Sequence, residues 1–198
     1  MKLLLIRHAE HILGGDVLPG RTSGVSLSEA GRRHAAALAQ RLADTRIDAF
    51  YSSPVQRARE TAQILAEPRS LPVRIAEGFT EIDVGRWEGR PFRDLDADDL
   101  WRRWNQHRSG TAAPGGELML ETQARVVRAI HALADTHRED VVAVTTHADV
   151  IRAATTWALG MPLDLLLRLR IDLCSMTALG IGDDGPTVLG LNLWGEGA

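Results

Sequence analysis

Two histidines and two arginines stand where a sheet protein does chemistry. Arg7-His8 directly follows the apolar run at 3–6, and His147 follows the apolar run at 141–144. Arg57 lies beyond an apolar run at 47–51, in the first turn of an expected helix. In open α/β sheets ligands bind beyond the carboxyl ends of the strands, so these segments can converge. Arg7 and Arg57 carry planar forks that match phosphate oxygens. Arg57 also runs against helix electrostatics, because a cation in the first turn opposes the macrodipole by a few tenths to about 1 kcal/mol. Either Glu60, three residues on, neutralises it, or the side chain reaches solvent, or an anion sits there, held jointly by the helix N-terminus and the guanidinium.

That set of groups points to phosphoryl transfer. Positive donors must surround the equatorial oxygens, a neutral imidazole nitrogen can be the in-line nucleophile, and an acid must protonate the departing oxygen. The loop at 78–89 offers Glu81, Asp83 and Glu88 as that acid, and spacing does not choose among them. A carboxyl in this role needs a raised pKa, from burial or a neighbouring anion. G-x-x-x-x-G-K-[ST] does not occur, so no lysine-bearing nucleotide-cradling loop is expected. A rival reading joins His8, His147 and one carboxylate as a metal face. Two arginines converging there would repel a divalent cation, so no metal is expected.

The elements that must position these groups follow from periodicity. The runs at 3–6 and 141–144 read as strands buried on both faces. Ser28 caps a helix with Glu29 in its first turn, and Ala35, Leu38, Ala39 and Leu42 recur at helical spacing. Ser53-Pro54 predicts a second helix start, with Pro at the first helical position. Val55, Ala58, Ala62 and Leu65 form its apolar face. A short strand is expected at 71–75, an irregular stretch at 78–90, and a polar helix at 94–107 anchored in the core by Trp101 and Trp104. Helices are expected over 117–137 and 149–159, and two closing strands over 173–181 and 188–193. Strands alternating with helices predict a three-layer α/β/α sandwich around a mostly parallel central sheet. The expectation is a single domain over 1–198, with 86–116 as an insertion over one end of the sheet.

Composition narrows the alternatives. The chain has 198 residues, 44% hydrophobic and 25% charged, enough to bury a core. The net charge of −3 argues against a general nucleic-acid binder. Lys2 is the one lysine among 23 cations, the bland explanation being codon bias. Cys174 is the single cysteine, in an apolar stretch, and reads as a small core residue. Four apolar residues at 3–6 are too few for a signal-peptide core, and no run suits a membrane span. A cytoplasmic protein is expected.

The motifs around these residues resemble those of the histidine phosphatase superfamily, the phosphoglycerate mutase-like enzymes. Leu4-Leu5-Ile6-Arg7-His8-Ala9-Glu10 is similar to the family's opening L-x-R-H-G-E, and Leu27-Ser28-Glu29-Ala30-Gly31-Arg32 to its L-T/S-x-x-G-x segment. Ser52-Ser53-Pro54-Val55-Gln56-Arg57, continuing to Thr61-Ala62, resembles S-S-P-x-x-R-x-x-x-T-A. The stretch from Phe79 through Glu81 and Gly85 to Trp87-Glu88-Gly89 resembles L-x-E-x-x-x-G-x-W-E-G. Pro114-Gly115-Gly116-Glu117 matches P-G-G-E, and Thr146-His147-Ala148-Asp149-Val150-Ile151-Arg152 is similar to S-H-G-x-x-I-R. The blocks keep the family order along almost the whole chain.

The resemblance implies a phosphoglycerate mutase-like fold, no organic cofactor, and roles residue by residue. His8 would be the nucleophile, passing through a phosphohistidine. Arg7, Arg57 and His147 would surround the phosphoryl group. Glu81 would be the general acid and then the base, leaving Asp83 and Glu88 as structural hydrogen-bonding residues. Ala9 and Ala148 replace family glycines, so Ala148 can still offer its N–H to phosphate unless a positive φ is needed. Arg21 could hold a second anionic group and His11 could touch substrate. The expected ligand is a small phosphorylated metabolite, and a homodimer is possible. Hydrolysis is favoured over mutase chemistry because 86–116 is a short cover. A non-catalytic phosphoryl-binding module is disfavoured because every tetrad residue is present.

Overall fold

The computed structural model describes residues 1–194; residues 195–198 of the expected 1–198 unit lie outside the described residues. Six strands form one sheet: β1 (Lys2–Arg7), β2 (Ala49–Ser52), β3 (Val73–Ile75), β4 (Val141–Thr146), β5 (Met176–Gly182) and β6 (Gly185–Leu193). The spatial order is β3-β2-β4-β1-β5-β6. β1 to β4 run parallel, while β5 is antiparallel to β1 and hairpins into β6. The sheet is therefore mostly parallel, and the two expected closing strands form its antiparallel edge.

The central strands are apolar on both faces because helices cover both. Leu4, Ile6, Phe50 and Ala143 meet Ala35 and Leu38 of α1 (Glu29–Arg41) and Leu65 of α2 (Gln56–Ala66). Leu3, Leu5, Val142 and Val144 point the other way, toward Val126 and Ile130 of α5 (Met119–Thr136) and Ile151 and Ala154 of α6 (Ala148–Leu159). Alternate side chains of one strand thus feed two cores, which is the three-layer sandwich expected. Cys174 is buried in the first of these cores, and burial pushes its thiol up to about 12.

Two helix boundaries differ from expectation. α2 begins at Gln56 with Val55 as its N-cap, so Pro54 stands ahead of the helix rather than at its first position. Ser53 Oγ instead accepts from the Val55 N–H at 3.2 Å, and the carbonyl of Val55 opens the helix by accepting from Ala58 and Arg59. The expected helix at 94–107 is two pieces, α3 (Phe92–Leu95) and α4 (Asp99–Gln106). Asp98 interrupts them: its side chain accepts from the Leu100 N–H and caps α4. Trp101 and Trp104 anchor α4 as expected, packing with Trp87, Leu95, Met119 and Leu166 in a third core. The segment 86–116 is thereby fastened beside α5 and α6, at the end of the sheet where β1 and β4 finish. Among the described residues, no helix is long and apolar enough to cross a membrane.

Candidate active site

The carboxyl ends of β1, β2 and β4 bring the expected tetrad together. The His8 N–H donates to the Thr146 carbonyl and the Ser53 N–H to that of Thr145, so the residues leaving three adjacent strands are held side by side. Arg57 lies at the centre with its side chain fully buried. Its Nε donates to His8 Nε2 at 3.1 Å, and one Nη donates to the Gly20 carbonyl at 2.9 Å and to His147 Nδ1 at 3.2 Å. The first-turn cation is not neutralised by Glu60, whose carboxylate takes Arg32, Gln56 and the Leu27 N–H. It faces Glu81 instead, 3.6 Å away. Arg7 is fixed by donation to the Ile171 carbonyl at 2.7 Å. Arg7 Nε and the second Nη of Arg57 are buried donors with no acceptor among the described residues. Two buried guanidinium donors in one place are a demand for an oxyanion.

The partners fix the proton positions on both imidazoles. A carbonyl can only accept, so His8 Nδ1, 2.7 Å from the Ala9 carbonyl, carries the hydrogen and Nε2 keeps the lone pair that faces Arg57. Arg57 can only donate, so His147 Nδ1 is bare and Nε2–H donates to Ser53 Oγ at 2.8 Å. Burial, then the charges of Arg57 and Arg7, holds His8 well below the usual imidazole range. Burial and Arg57 do the same to His147. Both rings are neutral near pH 7, as a nitrogen nucleophile must be. Thr61 braces the site: its hydroxyl accepts from the Ala9 N–H and donates to the Arg57 carbonyl.

Glu81 lies 3.5 Å from His147 and 3.6 Å from Arg57. Burial and the nearby Asp149 charge raise its carboxyl to about 7, against the pull of Arg57. Its loop is held by backbone packing. A Cβ on Gly116 would lie 2.2 Å from the Asp83 carbonyl oxygen, and one on Gly85 2.3 Å from that of Pro114. The glycines of the two loops are thus one joint, which admits no side chain on either side.

The remaining expected residues divide. Ala148 and His11 line the same cavity of about 360 Å³ as Arg7, His8, Arg57 and Glu81. His11 is held near 4, first by burial and then by Arg57 and Arg7, so it meets a ligand as a neutral ring. Ala9 and Ala148 have negative φ, so replacing the family glycines strains neither. Arg21 is a correction: it lines no part of this cavity. Its guanidinium is committed to the Glu81 carbonyl and to Glu117, both at 2.8 Å, with Asp83 at 3.6 Å, so it positions the Glu81 loop instead of holding a second anion. Asp83 is structural as expected, accepting from the Gly85 N–H. Contrary to expectation, the Glu88 side chain makes no hydrogen bond among the described residues; it stands beside Gly20, its charge acting on Arg57.

Sequence reasoning missed Ser53 and Thr61, which orient His147 and the Ala9 turn, and the cluster of Arg108, Asp149 and Arg152 on the cavity wall. Asp149 reads in sequence as an ordinary acid complementing a helix N-terminus. Arg108 gives no signal, because its partner is 41 positions away. For the rival metal reading, Arg57 occupies the middle of the would-be ligands His8, His147 and Glu81. Among the described residues, no group of three His, Cys, Asp or Glu is placed to hold a metal.

Known proteins carry this architecture. The chain is 30% identical to phosphoserine phosphatase 1 of Hydrogenobacter thermophilus, over 98% of its own length and 92% of the relative's. It is 32% identical to a 2,3-bisphosphoglycerate-dependent phosphoglycerate mutase of Thermoplasma acidophilum, over 90% and 86%. The solved alpha-ribazole phosphatase of Shigella flexneri superposes with a TM-score of 0.87 at 27% identity, covering 100% of this chain and 99% of that one. A family model matches residues 3–193, from β1 to the end of β6 and through every segment that supplies the cradle; the chain belongs to the histidine phosphatase superfamily, branch 1.

Proposed function

We propose that this chain hydrolyses a small phosphorylated metabolite through a phosphohistidine on His8, with Glu81 as general acid and then base, and without a metal. The bare Nε2 of a neutral, buried His8, set against the Arg57 guanidinium, carries this reading. In the first step Nε2 attacks phosphorus, the bond to the leaving oxygen breaks, and the Glu81 carboxyl gives that oxygen its proton. In the second the Glu81 carboxylate takes a proton from water, the water oxygen bonds to phosphorus, and the P–N bond breaks to return His8 and free phosphate. Arg7, Arg57 and His147 surround the transferring group, and Ala148 and His11 line its approach. Relatives named as phosphoserine and alpha-ribazole phosphatases support a small phosphomonoester. The relative named as a mutase is covered over 86% of its length, so chain length does not separate hydrolysis from transfer; the products do.

The test is a panel of phosphorylated metabolites scored for free phosphate against isomerised product, with rapid acid and base quenching of labelled enzyme. Free phosphate and an acid-labile, base-stable phosphoenzyme are expected, both lost in His8→Ala. Hydrolysis at the wild-type rate in His8→Ala would remove the nucleophile assigned here.

A further inference from the structure

Beyond the phosphoryl cradle, the cavity continues into a chamber that the leaving group must occupy. Part of its wall comes from 86–116 and part from α6. One cluster there is charged and touches none of the reacting atoms, although the charge of its Asp149 acts on Glu81. Arg108 is only 3% exposed and lies flat on Trp104, its guanidinium carbon 3.3 Å from the ring centroid. One Nη donates to Asp149 Oδ2 at 2.9 Å and the other to Asn105 Oδ1 at 2.9 Å. Arg152, one turn along α6, donates to the other Asp149 oxygen at 3.0 Å and through Nε to the Leu169 carbonyl. Two arginines from different segments thus form a clamp of the kind that would seize a carboxylate, and the chain's own Asp149 fills it.

We propose that Asp149 is a built-in carboxylate occupying the anion seat of the leaving-group chamber, so that the enzyme favours phosphomonoesters with uncharged leaving groups and turns away carboxylate-bearing ones. The inference rests on the phosphatase reading above. Burial alone would raise Asp149, but Arg108 and Arg152 outweigh it and hold the carboxyl at about 2, so the seat stays filled by an ion at working pH. A substrate carboxylate entering the chamber would meet that charge at close range, with both Nη groups of Arg108 and the Nε and one Nη of Arg152 already engaged. Asn105 offers no substitute: its amide nitrogen donates to the Trp101 carbonyl and its oxygen accepts from Arg108. Arg108 Nε is left without an acceptor among the described residues, a single donor suited to a hydroxyl or ring nitrogen. Val17, Leu18, Val84, Phe92 and Trp101 supply apolar wall around it.

The test compares kcat/KM for glycerol 3-phosphate and 3-phosphoglycerate, which differ by a hydroxymethyl group in place of a carboxylate, with benzyl phosphate as the apolar neutral case. The wild type is expected to prefer the two neutral esters over the acid by about tenfold or more. Asp149→Asn empties the seat of charge and is expected to shift that ratio toward 3-phosphoglycerate by about tenfold or more, mainly through KM for the acid. Equal use of glycerol 3-phosphate and 3-phosphoglycerate by the wild type overturns the proposal, and so does an unchanged ratio among the three esters in Asp149→Asn, whatever common loss follows from the weaker hold of Glu81 on its proton. Should the variant not fold, the wild-type ratio alone decides. Phosphate release from none of the three would overturn the phosphatase reading, and this inference with it.

Discussion

Glu81→Gln separates what the carboxyl does for catalysis from what it costs the fold. Burial and Asp149 move the group from an ordinary 4.5 to about 7, so the folded protein holds that proton more tightly than the unfolded chain does. The sign follows by linkage: the contribution to stability is fully present below about 4.5 and is lost as pH rises through about 7. A shift of that size corresponds to about 3 kcal/mol above pH 8. Gln is neutral, nearly isosteric, and can still accept from the Ile82 N–H as Glu81 Oε1 does. Urea unfolding should therefore find the variant close to wild type at pH 5 and more stable by about 1–3 kcal/mol at pH 8. Activity should move the opposite way. With alkyl phosphates the wild-type rate should fall above about pH 7, as the acid loses its proton. Glu81→Gln should lower that rate by about 10²–10⁴, and the rate with an activated aryl phosphate by less in the phosphorylation step. A variant equally destabilised at both pH values, or equally slow on both leaving groups, would refute the assignment of a displaced proton to Glu81.

Two other outcomes follow from the same geometry. Chelator should leave turnover unchanged, because Arg57 stands among His8, His147 and Glu81 where a metal would have to sit; a large, metal-reversible loss in a phosphate-release assay would contradict this. Gly116→Ala forces a methyl against the Asp83 carbonyl oxygen and should cost about 2–4 kcal/mol in urea unfolding. It should also reduce kcat, since the displaced backbone is two residues from Glu81.

The parts of the fold legible in the sequence are those with a single local cause. β1 and β4 are continuous apolar runs because each is covered on both faces, and their ends necessarily carry Arg7, His8 and His147 to one place. Arg57, a cation in a helix's first turn, faces Glu81 and not Glu60, a partner that no local spacing could indicate because it lies on another loop. Signals with two possible uses misled. Ser53-Pro54 mimics a helix start, yet Ser53 Oγ is engaged by the Val55 N–H and by His147. Asp98 looks like one more acid in a polar helix and is the cap that divides it. Arg21 was legible as a cation but not as a committed one, because Glu117, its partner, is 96 positions away. The Arg108–Asp149 pair was hidden for the same reason, since nothing local to either residue requires the other.

The proposed role of Glu81 as proton carrier is supported by how the carboxylates around it differ. Three buried or half-buried acids lie within one neighbourhood rich in arginine. Glu117 is pushed up by burial but pulled further down by Arg125, the Asp83 N–H and Arg21. Asp149 takes one guanidinium on each oxygen at 2.9 and 3.0 Å and stays ionised. Glu81 accepts one backbone N–H and stands 3.6 Å from Arg57, beyond a direct hydrogen bond, while Asp149 repels its charge. Each cation that locks Asp149 as an anion therefore also sustains the repulsion that protonates Glu81. Of the three, Glu81 alone is pushed up toward neutral pH, and it stands 3.5 Å from His147, which favours it for the proposed transfer of a proton to the leaving oxygen.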